Sequence, residues 1–385
     1  MCPYSLSRPG GVQGQVIGLA RALAARGHKA TVFAPLDDPD HAPADIDLVS
    51  TGSSVSLPSN GSIAPVSVWP RAVRRARTMV RSGDFDVVHV HEPFTPGLSY
   101  GLLFGRGIPP LVVTYHRSGP SVFYDLLRPL TRRLSTRFSV QCAVSEAARV
   151  TASRAVMGTC HIMFNGVEID RYRHVEPWPS DRPTVLFLGR HEERKGLVYL
   201  LEAWTRLGDR LGGTTHSRGP GRPRLWVAGD GPLTHMLRAH HPASPDIEWL
   251  GVLPEEEKVR RLVAADVLCA PSLGGESFGM VLLEAMAART VVVASDIGGY
   301  RDAAGGRAVL VPPGDTVELA AALTSVLNGE SAVMATTGRE DIEGTEPPRS
   351  RWLDAGVRRA SEFAMVRLAE LYEEHYRAAV VGPPG

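Results

Sequence analysis

The chain has 385 residues, of which 43% are hydrophobic and 22% charged, and its 42 basic residues nearly balance 41 acidic ones. This composition is typical of a globular protein of two or three domains, and the near-zero net charge gives no support for bulk attraction to nucleic acid. The four cysteines include no C-x-x-C pair, which indicates reduced thiols in a cytoplasmic protein rather than a zinc site or a disulfide framework. No signal peptide is visible and no apolar run reaches the ~18 residues that span a bilayer, so we expect a soluble or peripheral protein.

The first predicted helix follows a glycine turn. Val16 to Arg26 has helical periodicity and is preceded by the segment PGGVQ at residues 9–13. An α/β fold should place a strand ahead of such a loop, and only a few residues precede it. We therefore expect a short first strand, or a truncated or wrongly assigned start. Alone, the turn is a weak signal of function.

Strand and helix patterns alternate through the rest of the N-terminal half. Apolar segments predict strands at Ala30–Pro35, Asp86–His91, Leu111–His116 and Ser139–Val144, and the polar stretch 36–59 predicts loops and edge strands. Their near-continuous apolar character is typical of strands that are covered on both faces in a doubly wound parallel sheet.

The alternation restarts after a Pro-containing stretch near residues 172–182. Strands are predicted at Val185–Gly189, Leu225–Gly229, Ile247–Gly251, Val267–Ala270 and Val291–Ser295. Two consecutive α/β units predict domains over 1–174 and 175–354, with a ligand-binding cleft at the carboxyl ends of their strands. Segments 208–224 and 328–351 are interpreted as mobile surface loops, and Ala355–Ala379 as one last helix.

A glycine-rich loop follows the predicted strand Val267–Ala270 and opens a helix near Phe278. The first N–H groups of such a helix are unpaired, and Gly274 and Gly275 have no side chain to block an anion, so a phosphate fits there. Glu276 at the mouth of the loop and Glu284 further along the helix suit sugar hydroxyls. The alternative is that a glycine turn and a Glu near a helix start are purely geometric features of α/β folds.

A basic turn, GRHEERKG at residues 189–196, follows the first predicted strand of the C-terminal half. Arg190 and Lys195 can both face a diphosphate, since Arg supplies a planar fork and Lys a compact charge. A solvated charged turn is the alternative.

Histidine and acidic patterns in the N-terminal half raise the question of a metal site. His116 ends a predicted strand and should lie at the edge of the N-terminal sheet, although a lone His more often has a structural role. The segment His89–Glu92 has no further evident metal ligands, so we interpret it as a structural part of the rim of this sheet. The D-x-D segments at 45–47 and 84–86 are better explained by turn chemistry. We expect no metal requirement.

A predicted helix around residues 71–81 combines apolar residues with a cluster of arginines. Such a helix can lie on an anionic bilayer with its apolar side down. A solvated helix and a nucleic-acid patch are the alternatives. The cluster consists of Arg71, Arg74, Arg75, Arg77 and Arg81.

Together, GGESFG followed by LLEAMAA and the upstream R-x4-K-G turn resemble the signatures of the family 4 retaining glycosyltransferases, which have the GT-B fold. Within that family, the chain resembles the phosphatidylinositol α-mannosyltransferases. The resemblance extends over nearly the whole chain and includes the segments PGGVQ, DFDVVHVHEP and VLFLGR. It implies two Rossmann-like domains facing a deep cleft, the first for the acceptor and the second for the nucleotide sugar. It also implies that the segment 355–385 crosses back to the N-terminal domain.

The same resemblance implies a role for each candidate residue. Arg190 and Lys195 would bind the diphosphate, and Glu276 the sugar hydroxyls. Glu284 would bind the ribose, and His116 the transferred hexose. The implied catalytic residues are His116, Arg190, Lys195 and Glu276. The implied donor-binding residues are Gly11, Arg190, Lys195, Leu253, Lys258, Gly274, Gly275, Glu276, Ser277, Phe278, Gly279 and Glu284. The implied acceptor-binding residues are Tyr4, Gly11, Gln13, Asn60, Ser62 and Arg117.

The implied reaction moves mannose from GDP-mannose to a lipid with retention of configuration and without a metal ion or cofactor. Its partners would be the nucleotide-sugar donor, the lipid acceptor and an anionic membrane surface, with no nucleic acid. The implied location is cytoplasmic, peripheral on the inner face of the plasma membrane.

The sequence departs from this family where the acceptor is bound. The resembling enzymes have an Arg after NGS, where this chain has Pro65 and Ser67, and a Thr and a Lys after the His, where this chain has Arg117 and a Gly119-Pro120 turn. A family 4 transferase with another acceptor or donor therefore stays open, as does a non-catalytic protein that binds a sugar nucleotide.

Overall fold

The computed structural model describes residues 1–8, 10–59, 62–105, 107–117, 119, 126–210, 215–216, 219–220, 222–241, 245–276, 278–329 and 349–382. The chain divides into two compact units, here called the N-terminal unit (Met1–Gly166 with Ala364–Gly385) and the C-terminal unit (Val167–Phe363). The first boundary lies a few residues before the predicted one at 174. The N–H of Val167 donates to the carbonyl of Phe363 at 2.8 Å, so the first and last residues of the C-terminal unit are hydrogen-bonded to each other.

The C-terminal unit contains a six-stranded parallel sheet. Its strands are β9 (Thr184–Leu188), β12 (Arg224–Ala228), β13 (Ile247–Gly251), β14 (Val267–Ala270), β15 (Val291–Ser295) and β16 (Val309–Val311). Their order, β13-β12-β9-β14-β15-β16, is 3-2-1-4-5-6 in chain order, as in dinucleotide-binding folds. In such a sheet ligands bind where the strand order reverses, which here is between β9 and β14.

Helices cover both faces of this sheet. They are α6 (Leu197–Arg210), α7 (Thr234–His240), α8 (Glu255–Ala264), α9 (Met280–Ala287), α10 (Gly298–Ala304), α11 (Thr316–Leu327) and α12 (Arg349–Ser361). Residues of α6 and α11 share one apolar cluster with Val185 and Phe187. Leu186 points to the opposite face and is also buried, on the side where α8 contacts β9 and α9 contacts β14.

The N-terminal unit contains a second parallel sheet. Its strands are β5 (Val88–His91), β6 (Leu111–Tyr115), β7 (Phe138–Ala143) and β8 (Cys160–Ile162), while β1 (Thr31–Ala34) pairs in parallel with β2 (Asp47–Ser50). The first two residues join these strands: Cys2 N–H donates to Phe33 at 2.9 Å, and His91 N–H donates to the carbonyl of Met1 at 3.1 Å. Met1 and Cys2 occupy the position at which the sequence predicts a short first strand. An antiparallel hairpin is formed by β3 (Val55–Ser59) and β4 (Ser62–Val66).

The helices of the N-terminal unit include one from the far end of the chain. They are α1 (Gly11–Ala25), α2 (Pro70–Ser82), α3 (Leu98–Leu103), α4 (Arg128–Ser135), α5 (Glu146–Ala155) and α13 (Met365–Val381). α13 packs against α1 and β6. The prediction of one helix over 355–379 is wrong: α12 ends at Ser361 and belongs to the C-terminal unit. Ala364 is extended with ψ 138°, and the Phe363 carbonyl is used by Val167, so tertiary contacts interrupt the periodic pattern.

The α/β prediction with parallel sheets is thus confirmed in both units. Within the predicted insertion 208–224, β10 (Thr215–His216) pairs with β11 (Gly219–Pro220) in antiparallel fashion, and residues 330–348 of the second insertion lie outside the described residues. Over the part of the chain that the structure describes, no helix has both the length and the apolar composition needed to cross a bilayer.

Candidate active site

Two loops meet where the strand order of the C-terminal sheet reverses. The basic turn follows β9 and the glycine-rich loop follows β14. Gly196 has φ +71°, and a Cβ added to it would overlap the carbonyl oxygen of Pro271, so only glycine fits this approach. The N–H of Leu273 donates to the Arg194 carbonyl at 2.8 Å. These contacts bring the two sequence motifs together.

Five charged side chains from these loops form a continuous series of ion pairs, here called the charge chain. Arg190 Nε lies 2.7 Å from Glu192 Oε1, and Arg194 Nε lies 3.1 Å from Glu192 Oε2. Arg194 Nη1 and Lys195 Nζ both contact Oε1 of Glu276, at 3.1 and 2.6 Å. Lys195 and Glu276, two of the predicted site residues, are therefore in direct contact.

Sequence reasoning missed Glu192 and Arg194. Both lie inside the basic turn, and their alternation with Arg190 and Lys195 was visible in GRHEERKG. What the sequence did not show is that Glu192 is buried, with 5% of its side chain exposed, between the two arginines. A buried carboxylate needs such partners, because its charge has lost most of its water.

The glycine-rich loop presents an open backbone surface ahead of α9. A Cβ added to Gly274 would meet nothing within 4 Å, and no side chain caps α9 at its N-cap residue, Gly279. Phe278 packs edge to face on Phe363 with the ring centroids 5.3 Å apart. Ser277 lies outside the described residues. An anion could approach the first N–H groups of α9 along this surface.

The second predicted acid, Glu284, is paired with a different cation. Lys258 on α8 lies 3.2 Å from Glu284 and 2.7 Å from Glu255. Burial acts to lower the pKa of Lys258, but the two carboxylates outweigh it, and the pKa is raised. Leu253 is half-buried in the segment between β13 and α8. The predicted donor-site residues Lys258 and Glu284 are thus adjacent.

In the N-terminal unit, Glu92 holds the end of β6. Its Oε1 accepts hydrogen bonds from the backbone N–H groups of His116 at 2.5 Å and of Arg117 at 2.7 Å. Glu92 itself has φ +49°, a conformation that non-glycine residues seldom adopt. The predicted residues His116 and Arg117 are therefore held through their backbones by one carboxylate.

Three histidine rings are stacked beside this carboxylate. His91 Nδ1 lies 2.9 Å from His116 Nε2, and the rings of His89 and His91 stack at 4.2 Å. Both ring nitrogens of His89 have protein partners at 2.8 Å, Tyr376 on α13 and Thr114 on β6, in keeping with a structural rim. Burial lowers the pKa of His116 to about 3, so its imidazole is neutral near neutral pH.

The predicted acceptor residues are only partly brought together. Gly11 is the first residue of α1, with open space where a Cβ would stand. The amide nitrogen of Gln13 donates to the carbonyls of Ser5 and Arg8, at 3.2 and 3.3 Å, so this side chain orders the preceding loop. Burial and the nearby Glu92 charge raise the pKa of Tyr4. Asn60 lies outside the described residues, and of Ser62 only the backbone, in β4, is described.

The basic helix α2 exposes its charged side and not its apolar side. Ala72, Ala76 and Val80 are buried, and the helix packs on α3. The prediction that the apolar side faces a bilayer is wrong, because that side is covered by the protein. The outward residues are Arg71, Arg74, Arg75 and Arg81, with Arg77 half-buried. Trp69, just before the helix, is 49% exposed.

Comparison with known proteins bears on what this site does. Residues 182–329 match the family model described as glycosyl transferases group 1, and residues 9–171 match that of Glycosyltransferase Family 4. The phosphatidyl-myo-inositol mannosyltransferase of Mycolicibacterium smegmatis is 36% identical over 347 residues, which cover 86% of this chain and 84% of the relative. Its Mycobacterium tuberculosis counterpart is 36% identical over 346 residues, covering 86% and 87%.

Solved structures agree on the fold. The Anabaena protein HepE in complex with UDP and glucose matches with a TM-score of 0.67 at 18% identity and covers 97% of each chain. At this identity the likeness supports the fold alone, which is GT-B.

Proposed function

The chain belongs to the family 4 glycosyltransferases, and on that premise we propose that it transfers mannose, with retention, from GDP-mannose to a phosphatidylinositol-type lipid. The relatives named phosphatidyl-myo-inositol mannosyltransferase support the choice of sugar and acceptor. The observation that carries the proposal is the 2.6 Å ion pair of Lys195 with Glu276. It sets a cation suited to a diphosphate beside an acid suited to sugar hydroxyls.

The proposed chemistry needs no protein nucleophile. The bond between the sugar and the diphosphate breaks, the acceptor hydroxyl attacks the same face, and its proton passes to the departing phosphate oxygen. Arg190, Lys195 and the first N–H groups of α9 stabilise the charge on the leaving diphosphate. Glu276 orients the sugar through its hydroxyls, and Glu284 holds the ribose.

The proposal assigns the transferred hexose to His116 in the N-terminal unit. A neutral imidazole suits this role, since it can accept or donate a hydrogen bond without adding a positive charge. The pairing of His116 Nε2 with His91 leaves Nδ1 of His116 as the ring nitrogen for a ligand. No metal ion is assigned a role, because the basic turn and the helix start already oppose the diphosphate charge.

A peripheral position on the cytoplasmic face of the plasma membrane is part of the proposal. The exposed arginines of α2 support it, since each basic residue near an anionic bilayer contributes about 1 kcal/mol. Contact through this face would be electrostatic, with Trp69 as the neighbouring residue able to enter the interface.

A family 4 transferase with another acceptor is the second candidate. The carbonyl of Pro65 accepts the N–H of Ser5, and Ser67 is buried with its carbonyl bound by Leu98 N–H. These positions are used in backbone packing and offer no cation to a lipid phosphate. Arg117 and the arginines of α2 are the proposed substitutes.

Incubation with GDP-mannose and phosphatidylinositol, followed by lipid mass analysis, tests the proposal. A mannosylated lipid supports it, and turnover with a different lipid or small molecule supports the second candidate. Binding of the donor with neither product nor donor hydrolysis would instead indicate a non-catalytic sugar-nucleotide-binding protein. The controls are Glu276→Ala and Lys195→Ala, and full activity in either contradicts the site assignment.

A further inference from the structure

Two cations of the charge chain share one carboxylate, that of Glu276. Lys195 and Arg194 both contact the same oxygen of Glu276, Oε1. Among the residues that the structure describes, no side chain pairs with Oε2 of Glu276. One oxygen of this acid is thus engaged by two cations, whereas neither cation is hydrogen-bonded to the other oxygen.

In the proposed function, Lys195 opposes the donor diphosphate. Turning its compact ammonium toward that group draws it away from Glu276, which it contacts at 2.6 Å. A carboxylate released from Lys195 would be free to change rotamer beside Gly275, whose φ is +73°. A sugar-binding acid that loses its orientation loses most of its catalytic value.

Arg194 is placed to prevent this loss. Its guanidinium contacts Glu276 through Nη1 and Glu192 through Nε, so two carboxylates fix the plane of the fork. Glu192 is itself fixed, because it is buried, its N–H donates to Arg190 and its carbonyl accepts from Lys195. The Arg194 stem also lies against Gly275, with Cδ 3.7 Å from where a Cβ on that glycine would stand.

We propose that Arg194, tethered by the buried Glu192, is a positioning residue that keeps Glu276 directed at the donor sugar while Lys195 transfers its contact to the diphosphate. The inference rests on the proposed function for the presence of a nucleotide-sugar donor, but not for the identity of its base or sugar. Charge supports the exchange: with Lys195 on the diphosphate, Arg194 still contacts both Glu192 and Glu276.

The alternative is that Arg194 binds the diphosphate directly, and the two roles differ in what they do to nucleotide affinity. A residue that acts through Glu276 matters only when a sugar is present, so its loss weakens GDP-mannose without weakening GDP. A direct phosphate ligand weakens both equally. The useful quantity is therefore the ratio of the GDP dissociation constant to the GDP-mannose dissociation constant, measured by calorimetry without acceptor.

The test compares Arg194→Met with Arg206→Met, a control on the exposed side of α6. We expect Arg194→Met to bind GDP within about 2-fold of wild type, to reduce the affinity ratio toward 1 and to lower kcat by about 10-fold or more. Arg206→Met leaves all three unchanged. Arg194→Lys keeps the charge but cannot bridge two carboxylates, so it restores only part of kcat. Glu192→Gln should lower kcat, because it loosens the tether of Arg194.

Loss of GDP affinity in Arg194→Met that matches the loss of GDP-mannose affinity would overturn the inference, as would kinetics equal to those of Arg206→Met. A panel of nucleotide sugars with their nucleoside diphosphates separates this result from failure of the proposed function. If the wild type uses a donor other than GDP-mannose, the proposed function is wrong and the ratio for that donor decides the inference. If it binds no nucleotide sugar, both are wrong.

Discussion

Gly299, in the first turn of α10, packs against the backbone carbonyl of Glu276. A Cβ added to Gly299 would lie well inside 3.0 Å of that oxygen, which real Cβ atoms essentially never do, whereas one added to Gly298 would meet nothing within 4 Å. The backbone that carries the proposed sugar-binding acid is thus located by a neighbouring helix, α10.

This packing predicts unequal effects for two adjacent glycines. Gly299→Ala should lower kcat by about 10- to 100-fold, since a shift of about 1 Å in a positioned group can cost that much. Gly298→Ala should leave kcat unchanged. Steady-state kinetics with thermal unfolding of both variants checks this, and equal kcat values would contradict the packing argument.

The junction of α1 and α13 predicts an acid-sensitive contribution to stability. Arg26 donates hydrogen bonds to Glu373, and His28 lies 3.0 Å from the same carboxylate. Arg26, the largest cause, holds the pKa of Glu373 at about 2, below the ordinary 4.5. Because the folded pKa is depressed, this stabilisation is complete above pH 4.5 and is lost as pH falls to about 2.

Glu373→Gln should therefore lower the melting temperature at pH 7, and its difference from wild type should shrink as the pH falls toward 2. The exposed neighbour Glu374 provides the control, and Glu374→Gln should have little effect at either pH. A difference that stays constant with pH would show that the Glu373 charge is not responsible.

The buried ring of His116 predicts a second contribution to stability that is lost at low pH. Burial depresses the pKa of His116 to about 3, from 6.5, so its neutral form contributes stability above pH 6.5 that is lost as the pH falls toward 3. Nitrogen NMR of the labelled side chain should show a neutral imidazole throughout the range about pH 5–8. A His116 ring that gains its proton above pH 6 would contradict the burial argument.

The exposed face of α2 predicts salt-sensitive binding to anionic vesicles. Arg74→Glu combined with Arg75→Glu should weaken sedimentation with phosphatidylglycerol vesicles by about 10-fold or more, at about 1 kcal/mol per charge. The matched control is Arg206→Glu with Arg238→Glu, which reverses two exposed arginines of the C-terminal unit. Wild-type binding should fall as salt rises. Binding that is indifferent to both changes would exclude α2 as the contact face.

The elements near the site were predictable because local patterns determine them. Apolar runs predicted β9 and β14, and glycine with charge at their ends predicted the loops. The assignment of Lys195 and Glu276 to one site came from the resemblance to a family. The strand order that joins the two loops is a property of the whole sheet, and the resemblance to a family supplied what periodicity could not.

What could not be predicted depends on tertiary contacts. The periodicity of residues 355–379 continues through Phe363, but the helix ends because that carbonyl pairs with Val167. The pattern of α2 identified an apolar side without showing that the protein itself covers it. The role of Arg194 required side-chain geometry, since an Arg in a charged turn has many possible partners.

The mass and anomeric configuration of the lipid product test the central claim most directly. Wild-type protein is incubated with GDP-mannose and phosphatidylinositol vesicles, and the product is analysed by mass spectrometry and NMR beside reactions with Lys195→Ala and Glu276→Ala. We predict a lipid carrying one added mannose in α linkage, formed by the wild type and severely reduced in both variants. A β-linked product, no glycolipid from the wild type, or undiminished product from either variant would contradict it.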